Sequence, residues 1–310
     1  MLQVFGLVAP LFTMIILGYI AGRLVKLPLE GLAWLNYFII YLALPALFFQ
    51  LLSKINLSDF VSVGFLIITT YTTFIIFFLS FVIALLRDKK NIGSATIQGF
   101  AGAYGNVGYM GPPLALAAFG APAIVPAAMI FSFDNTLHFI LAPTLMALRK
   151  GKHLNPFRLA GTILWSIFTH PFILATIAGL GAAVIQFTPP APVDKALGLL
   201  AGAAAPCALF TMGVTAALRP LKTVPVELTW LVPIKLILHP ALVYGLLTWL
   251  GPFETVYVQT AVLLAALPAA TNVFVIAQQY DVWQERASSA VVVSTLTAMA
   301  SVTLVIYLLR

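Results

Sequence analysis

The chain has 310 residues, of which 62% are hydrophobic and only 8% are charged, and its net charge is +7. A soluble domain carries roughly 25% charged residues, so this composition excludes a water-soluble globule and indicates an integral membrane protein. The basic excess does not point to nucleic acid as a partner, because Lys and Arg lie in short segments between apolar stretches. The partner that the composition predicts is the lipid bilayer.

Ten apolar stretches follow one another, each long enough for the roughly 20 residues that a helix needs to cross a bilayer. We therefore predict an all-α membrane protein with ten transmembrane helices, near residues 4–23, 32–52, 60–86, 95–119, 122–147, 160–187, 195–218, 228–250, 255–280 and 286–309. Twelve of the 16 Lys and Arg residues fall on one side, three fall on the other, and Lys235 lies within a span. Because Lys and Arg concentrate on the cytoplasmic side, both termini are predicted to be non-cytoplasmic.

The two halves of the chain, 1–152 and 153–310, resemble each other weakly. The matched pairs are Pro10 with Pro171, Gly18 with Gly179 and Pro45 with Pro206, all at an offset of 161, and Asn106 with Asn272 at 166. Each half holds five spans, and five is odd, so the second half enters the membrane from the opposite side. The pattern predicts a 5+5 inverted repeat.

The fourth and ninth spans are interrupted midway by Gly and Pro. The first break reads AYGNVGYMGPP over 103–113 and the second reads LPAATNV over 267–273. Such breaks survive in a bilayer only where they line a cavity or a site, and a matched pair is the best sequence pointer to the binding site of a secondary transporter. The alternative is that the glycines allow close helix packing and the prolines only kink the helices.

A broken helix exposes a half-helix N-terminus, which is a ready site for a carboxylate. Asn106 and Asn272 each add hydrogen-bond donors and acceptors at the breaks. The predicted substrate-binding residues are Gly105, Asn106, Tyr109, Pro112, Pro268, Thr271 and Asn272.

Four ionisable residues are predicted to lie within spans. Asp134 and His138 are four residues apart, as are Lys235 and His239, so each pair shares a helix face. Charges in hydrocarbon mark ion paths, proton relays or pairings, and we predict that these four residues couple transport to H⁺ or Na⁺. The alternative is a structural pair of Asp134 with Lys235 that locks two helices together.

Other chemistry is missing from the sequence. It has no Gly-x-x-x-x-Gly-Lys-Ser/Thr phosphate loop, no His-Glu-x-x-His motif, no Cys/His cluster and no Gly-x-Ser-x-Gly elbow. We expect neither an enzyme nor a bound cofactor or metal.

At 105–112 (GNVGYMGP) and 267–274 (LPAATNVF) the chain resembles the auxin efflux carrier family, which includes bacterial permeases for malate or malonate and plant auxin exporters. The resemblance implies a fold like that of the bile-acid sodium symporters, in which spans 4 and 9 cross at their breaks. It implies a scaffold domain of spans 1, 2, 6 and 7 (about 4–52 and 160–218) and a transport core domain of spans 3–5 and 8–10 (about 60–147 and 228–309). It also implies a substrate carboxylate near Asn106 and Asn272, a homodimer and a bacterial inner (plasma) membrane.

The sequence thus predicts a secondary active transporter of small organic anions, such as malate, malonate or auxin-like acids, that works by elevator-type alternating access. One alternative is a cation/proton antiporter with a crossed-helix site. A second is a non-transporting receptor or an intramembrane enzyme, against which the missing motifs argue.

Overall fold

The computed structural model describes residues 2–25, 27–54, 63–88, 91–149, 161, 164–165, 168–169, 171–218 and 224–310. These residues form helices, and their only β-type pairing is a single bridge. The helices are α1 (Leu2–Val25), α2 (Ala33–Phe38), α3 (Leu44–Leu52), α4 (Val63–Arg87), α5 (Ile92–Ala103), α6 (Gly111–Phe119), α7 (Ile124–Arg149), α8 (Pro171–Val184), α9 (Ala191–Leu218), α10 (Leu228–Pro233), α11 (His239–Leu250), α12 (Thr255–Ala265), α13 (Thr271–Gln279) and α14 (Gln284–Leu309). The predicted boundary between the halves, at 152 and 153, lies outside the described residues.

Six helical stretches of the described chain are long and apolar enough to cross a membrane. They are Glu30–Leu52, Val63–Arg87, Ala121–Met146, Ala191–Leu218, Leu228–Leu250 and Gln284–Leu309. Shorter apolar helices cover Phe12–Val25, Ile173–Val184 and Thr255–Ala265. The prediction of an all-helical membrane protein is confirmed, while the count of ten spans stays a prediction.

Two of the long stretches contain a π turn, at Ile39–Ala43 and at Ile234–Leu238. A proline follows each turn two residues after its end, Pro45 in the first case and Pro240 in the second. Proline has no N–H to donate to the carbonyl four residues earlier, so the helix widens locally instead of continuing its regular ladder. The second π turn carries Lys235 and therefore sets the direction of this buried side chain.

The described residues group into two compact units. Unit A contains those of 1–62, 108–128 and 168–220, and unit B contains those of 63–107, 129–167 and 221–310.

Unit A is built on close approaches of helix backbones at glycine. A Cβ on Gly18 of α1 would overlap the backbone of Phe210 in α9, and a Cβ on Gly179 of α8 would lie 3.2 Å from the Phe49 carbonyl oxygen of α3. Small residues allow such contacts, and in a membrane van der Waals packing of this kind holds helices together.

Unit B has an apolar core in which aromatic side chains of α4 and α5 pack against each other. The rings of Phe77 and Phe100 have centroids 4.9 Å apart, and Gly99 makes room for the Phe77 ring. Helix α5 begins after Asn91, whose side chain accepts the Ser94 N–H at 3.1 Å as an N-cap. This packing fixes the end of α5, where the first predicted break begins.

Candidate functional site

The helix stops at both places where Gly and Pro predict a break. Helix α5 ends at Ala103 and α6 begins at Gly111, while α12 ends at Ala265 and α13 begins at Thr271.

The two breaks pair with each other through their backbones inside unit B. The Asn106 N–H donates to the Pro268 carbonyl at 2.8 Å, and the Ala270 N–H donates to the Tyr104 carbonyl at 2.9 Å. These bonds form an antiparallel bridge centred on Gly105 and Ala269. The bridge satisfies backbone groups that the broken helices leave open, which hydrocarbon could not do.

The bridge has little room for side chains. A Cβ on Gly105 would lie 3.2 Å from both the Leu264 carbonyl oxygen and Lys235 Nζ. On the other side of the bridge, the Ala269 N–H donates to Ser294 Oγ of α14 at 3.1 Å. The Ser294 hydroxyl therefore completes the hydrogen bonding of the bridge on this side.

The N-terminus of α13 leads out of the bridge. Its N-cap residue, Ala270, has no side chain that can cap the first N–H groups. Asn272, the second residue of the helix, is exposed, and its Nδ2 donates to the Tyr104 hydroxyl at 3.0 Å. The N–H groups of Thr271 and Asn272, without a side-chain cap, lie here together with the positive end of the helix dipole and an exposed amide, and this combination suits an anion.

The structure brings five of the seven predicted substrate-binding residues together. Gly105, Asn106 and Pro268 lie in the paired breaks, and Thr271 and Asn272 open α13. The other two belong to unit A, where Tyr109 is half-buried and Pro112 is buried in the first turn of α6.

Three of the four predicted coupling residues form one buried polar chain in unit B. Lys235 Nζ donates to the Ala265 carbonyl, the last residue of α12, at 2.6 Å and lies 3.2 Å from His239 Nδ1. The Thr73 hydroxyl oxygen lies 3.5 Å from His239 Nε2 and 3.3 Å from Asp134 Oδ2. The polar chain thus runs from the C-terminus of α12 to the carboxyl group of Asp134.

A small cavity adjoins this polar chain. Its lining residues include the polar residues Thr69, Thr73, Asp134 and His239 together with Gly105, and it has room for about one water molecule. Asp134 is only 5% exposed, and its Oδ1 has no hydrogen-bond partner among the described residues. The cavity fits a water, a proton or a small cation and is too small for a dicarboxylate.

His138, the fourth predicted coupling residue, lies one turn along α7 from Asp134. Its ring stacks on that of Tyr104, with centroids 3.8 Å apart and planes inclined by 10°. Phe100 lies on the same ring cluster, 5.4 Å from the His138 centroid. The His138 ring therefore packs against the first break through Tyr104.

Four further residues belong to this site and were not predicted from the sequence: Thr73, Tyr104, Asn135 and Ser294. Thr73 had a usable signal, since it precedes His239 by 166 residues, the same offset that separates Asn106 from Asn272.

The paired broken helices and their polar surroundings define a membrane transport protein, and the comparison with known proteins gives the family. The chain belongs to the family described as "Membrane transport protein", whose model matches residues 3–306. This match confirms the resemblance to the auxin efflux carriers.

Two relatives align with nearly the whole chain. It is 52% identical over 310 residues to a protein of Rhizobium meliloti (strain 1021) named "Putative malonate transporter". That alignment covers 100% of this chain and 97% of the relative. It is 26% identical over 306 residues to an "Uncharacterized transporter" of Methanothermobacter thermautotrophicus, with 96% and 95% covered. The family and these names indicate a transporter and not an enzyme.

Proposed function

We propose that the chain is a secondary active transporter of small organic anions, with malonate and related carboxylates such as malate or an auxin-like acid as candidates. The observation that carries the proposal is the start of α13, which has no side-chain cap and where Asn272 is exposed, held beside the paired breaks. The name of the Rhizobium relative supports malonate as the first compound to test.

The proposed binding chemistry needs no buried counter-charge. The N-terminus of α13 offers N–H groups to one carboxylate group, and the side chains of Asn272 and Asn106 offer further donors. Thr271 and the first break are the remaining contacts in this proposal.

The proposed mechanism is elevator-type alternating access on a 5+5 inverted repeat. Two contacts inside unit A support the repeat: Gly18 packs on Phe210, and Gly179 packs on Phe49. The two contacts are related by the offset of 161 found in the sequence, because Gly179 corresponds to Gly18 and Phe210 corresponds to Phe49. We propose that spans 1, 2, 6 and 7 form the scaffold and that spans 3–5 and 8–10 move.

We further propose that the polar chain of Asp134, Lys235 and His239 couples transport to H⁺ or Na⁺, with His138 beside it. This role is supported by Asp134, which lines a cavity of water size and whose Oδ1 has no hydrogen-bond partner in the part of the chain that the structure describes. Asp134→Asn is expected to abolish the dependence of uptake on pH or sodium, while Asp281→Asn, in an exposed loop, leaves it unchanged. Unchanged ion dependence in Asp134→Asn would remove Asp134 from the mechanism.

Uptake of labelled malonate by proteoliposomes containing the purified protein tests the transport function. We expect saturable uptake that unlabelled dicarboxylates inhibit. Asn272→Ala and Asn106→Ala should raise KM by about tenfold or more, because hydrogen bonds to charged groups contribute about 1.5–3 kcal/mol. Gln278→Ala, exposed on the same helix, is the matched control. Absence of uptake for every small carboxylate tried would refute the anion assignment.

One observation favours a second candidate, a cation/proton antiporter. Asp134 lines the same cavity as Gly105, so an acidic group does lie beside the paired breaks. An antiporter would dissipate a pH gradient across proteoliposomes when sodium is added, without any carboxylate. The anion transporter that we propose would not respond to sodium alone.

The proposed setting is the bacterial inner membrane, with a homodimer and both termini outside the cytoplasm. A C-terminal alkaline phosphatase fusion should be active in cells, and a C-terminal green fluorescent protein fusion should be dark. The opposite result would reverse the proposed topology.

A further inference from the structure

The Tyr104 hydroxyl lies between two asparagine side chains of unit B. It is 2.5 Å from Asn135 Oδ1 and 3.0 Å from Asn272 Nδ2. Tyr104 directly follows α5, Asn135 belongs to α7, and Asn272 opens α13. Three separate elements therefore meet at one oxygen atom beside the paired breaks.

The direction of every hydrogen bond in this group follows from a single carbonyl. Asn135 Nδ2 donates to the Phe131 carbonyl at 2.8 Å, and a carbonyl can only accept, so Asn135 Oδ1 must face Tyr104. The single hydroxyl proton of Tyr104 is then donated to Asn135. Toward Asn272 the hydroxyl can only accept, which turns the amide nitrogen of Asn272 to face it.

We propose that Tyr104 is a positioning residue that fixes the amide of Asn272 for recognition of the transported anion. This inference rests on the proposed function, in which Asn272 binds substrate. One N–H of Asn272 is committed to Tyr104, so the amide cannot rotate to turn its oxygen toward the hydroxyl. The remaining amide N–H and Oδ1 then face the ligand in one fixed arrangement, and the anion meets a donor whose place is set before it binds.

The hydroxyl can be removed without disturbing its ring. The Tyr104 ring stacks on His138 and lies edge-on to Phe100, with a centroid distance of 6.4 Å to the latter. Tyr104→Phe keeps both ring contacts and the backbone bond to Ala270. It removes the hydroxyl that links the two amides.

The test is a double-mutant cycle on the KM for labelled malonate uptake by proteoliposomes, with Tyr104→Phe, Asn272→Ala and the double variant. We expect Tyr104→Phe to raise KM about threefold to tenfold, the range that a single hydrogen bond corresponds to, with the maximal rate changed less than twofold. In the double variant the Tyr104 substitution should add nothing to the effect of Asn272→Ala. Tyr244→Phe, which removes an exposed hydroxyl on α11, is the control and should match the wild type.

Asn135→Ala breaks the same link at its other end. It should also raise KM, and it should add nothing when Asn272 is alanine. Thermal midpoints of all variants separate this result from unfolding. If Tyr104→Phe raises KM equally with and without Asn272, or leaves KM unchanged while Asn272→Ala raises it, the positioning role is wrong and the proposed function stands. If Asn272→Ala itself leaves KM unchanged, the proposed binding site and this inference both fail.

Discussion

Units A and B bury very different kinds of side chain. Of the 19 buried polar or charged residues among those described, 17 belong to unit B, and only Thr176 and Thr211 belong to unit A. Unit A instead brings helix backbones into direct contact at Gly18, Gly179 and Gly213, whereas the closest neighbours of Gly99 and Gly102 in unit B are side chains.

The proposed function locates the chemistry in unit B, and this difference between the units supports that proposal. Buried polar groups are expensive in a membrane and mark pathways and sites, while small-residue contacts are how membrane helices pack when they have only to hold together. Unit B contains the bridge, the start of α13 and the polar chain from Lys235 to Asp134. We therefore expect substitutions in unit A to act on stability and substitutions in unit B to act on transport.

The largest effect on stability is expected from Gly213→Ala in unit A. A Cβ there would overlap the Ile15 carbonyl oxygen of α1, and neither helix backbone can move without opening the packing. Overpacking of this kind costs about 3 kcal/mol, so the thermal midpoint should fall markedly. Gly202→Ala, on the same helix with nothing within 4 Å of the new Cβ, should behave like the wild type. Equal thermal midpoints for the two variants would show that unit A does not depend on close backbone contacts at glycine.

Lys235→Met should have the next largest effect, on transport and on stability together. It removes the donor to the Ala265 carbonyl and leaves His239 without its neighbour, at a cost of about 2 kcal/mol for the buried acceptor. Uptake in proteoliposomes should be lost. Lys195→Met, at an exposed position of unit A, is the control for loss of a lysine. Normal uptake by Lys235→Met would show that the polar chain is only structural.

A smaller effect is expected from Ser294→Ala, which removes the acceptor for the Ala269 N–H at the bridge. The free energy of unfolding should fall by about 1 kcal/mol. Ser301→Ala, on the same helix, removes a hydroxyl that has no hydrogen-bond partner among the described residues and should be neutral. Thermal midpoints in detergent distinguish the two, and a reversed order would mean that the bridge does not depend on Ser294.

The smallest effect is expected from Arg286→Gln, which breaks the ion pair with Glu227 at the surface of unit B. The Arg286 side chain is 54% exposed, and exposed pairs contribute about 0–1 kcal/mol. The change in thermal midpoint should be slight and should shrink further in high salt. A large, salt-independent loss would show that polar contacts matter at the surface of unit B as much as in its interior.

The breaks could be predicted from the sequence because their signals are local. Gly and Pro within apolar stretches locate them to within a few residues, and the structure ends α5 at Ala103 and begins α13 at Thr271. Helical spacing also predicted that Lys235 and His239 share a face, and they are in contact.

The partners of these residues could not be predicted, because they come from distant parts of the chain. Tyr104 reads as an ordinary aromatic residue in an apolar stretch, and its role depends on Asn135 and Asn272, which are 31 and 168 residues away. Thr73 resembles the other threonines of α4, of which Thr69 and Thr72 donate only to carbonyls of their own helix. Only tertiary packing distinguishes Thr73 from them.

The central claim is that an organic anion binds at the start of α13, and protection from alkylation tests it most directly. The chain has one cysteine, Cys207, so Asn272→Cys and Gln278→Cys can be compared in a Cys207→Ala background with a thiol-reactive maleimide. We predict that malonate slows labelling at position 272 in a concentration-dependent way, over the higher concentrations that loss of the Asn272 amide requires, and leaves labelling at position 278 unchanged. Equal labelling at position 272 with and without malonate, in protein that still takes up malonate, would contradict the account.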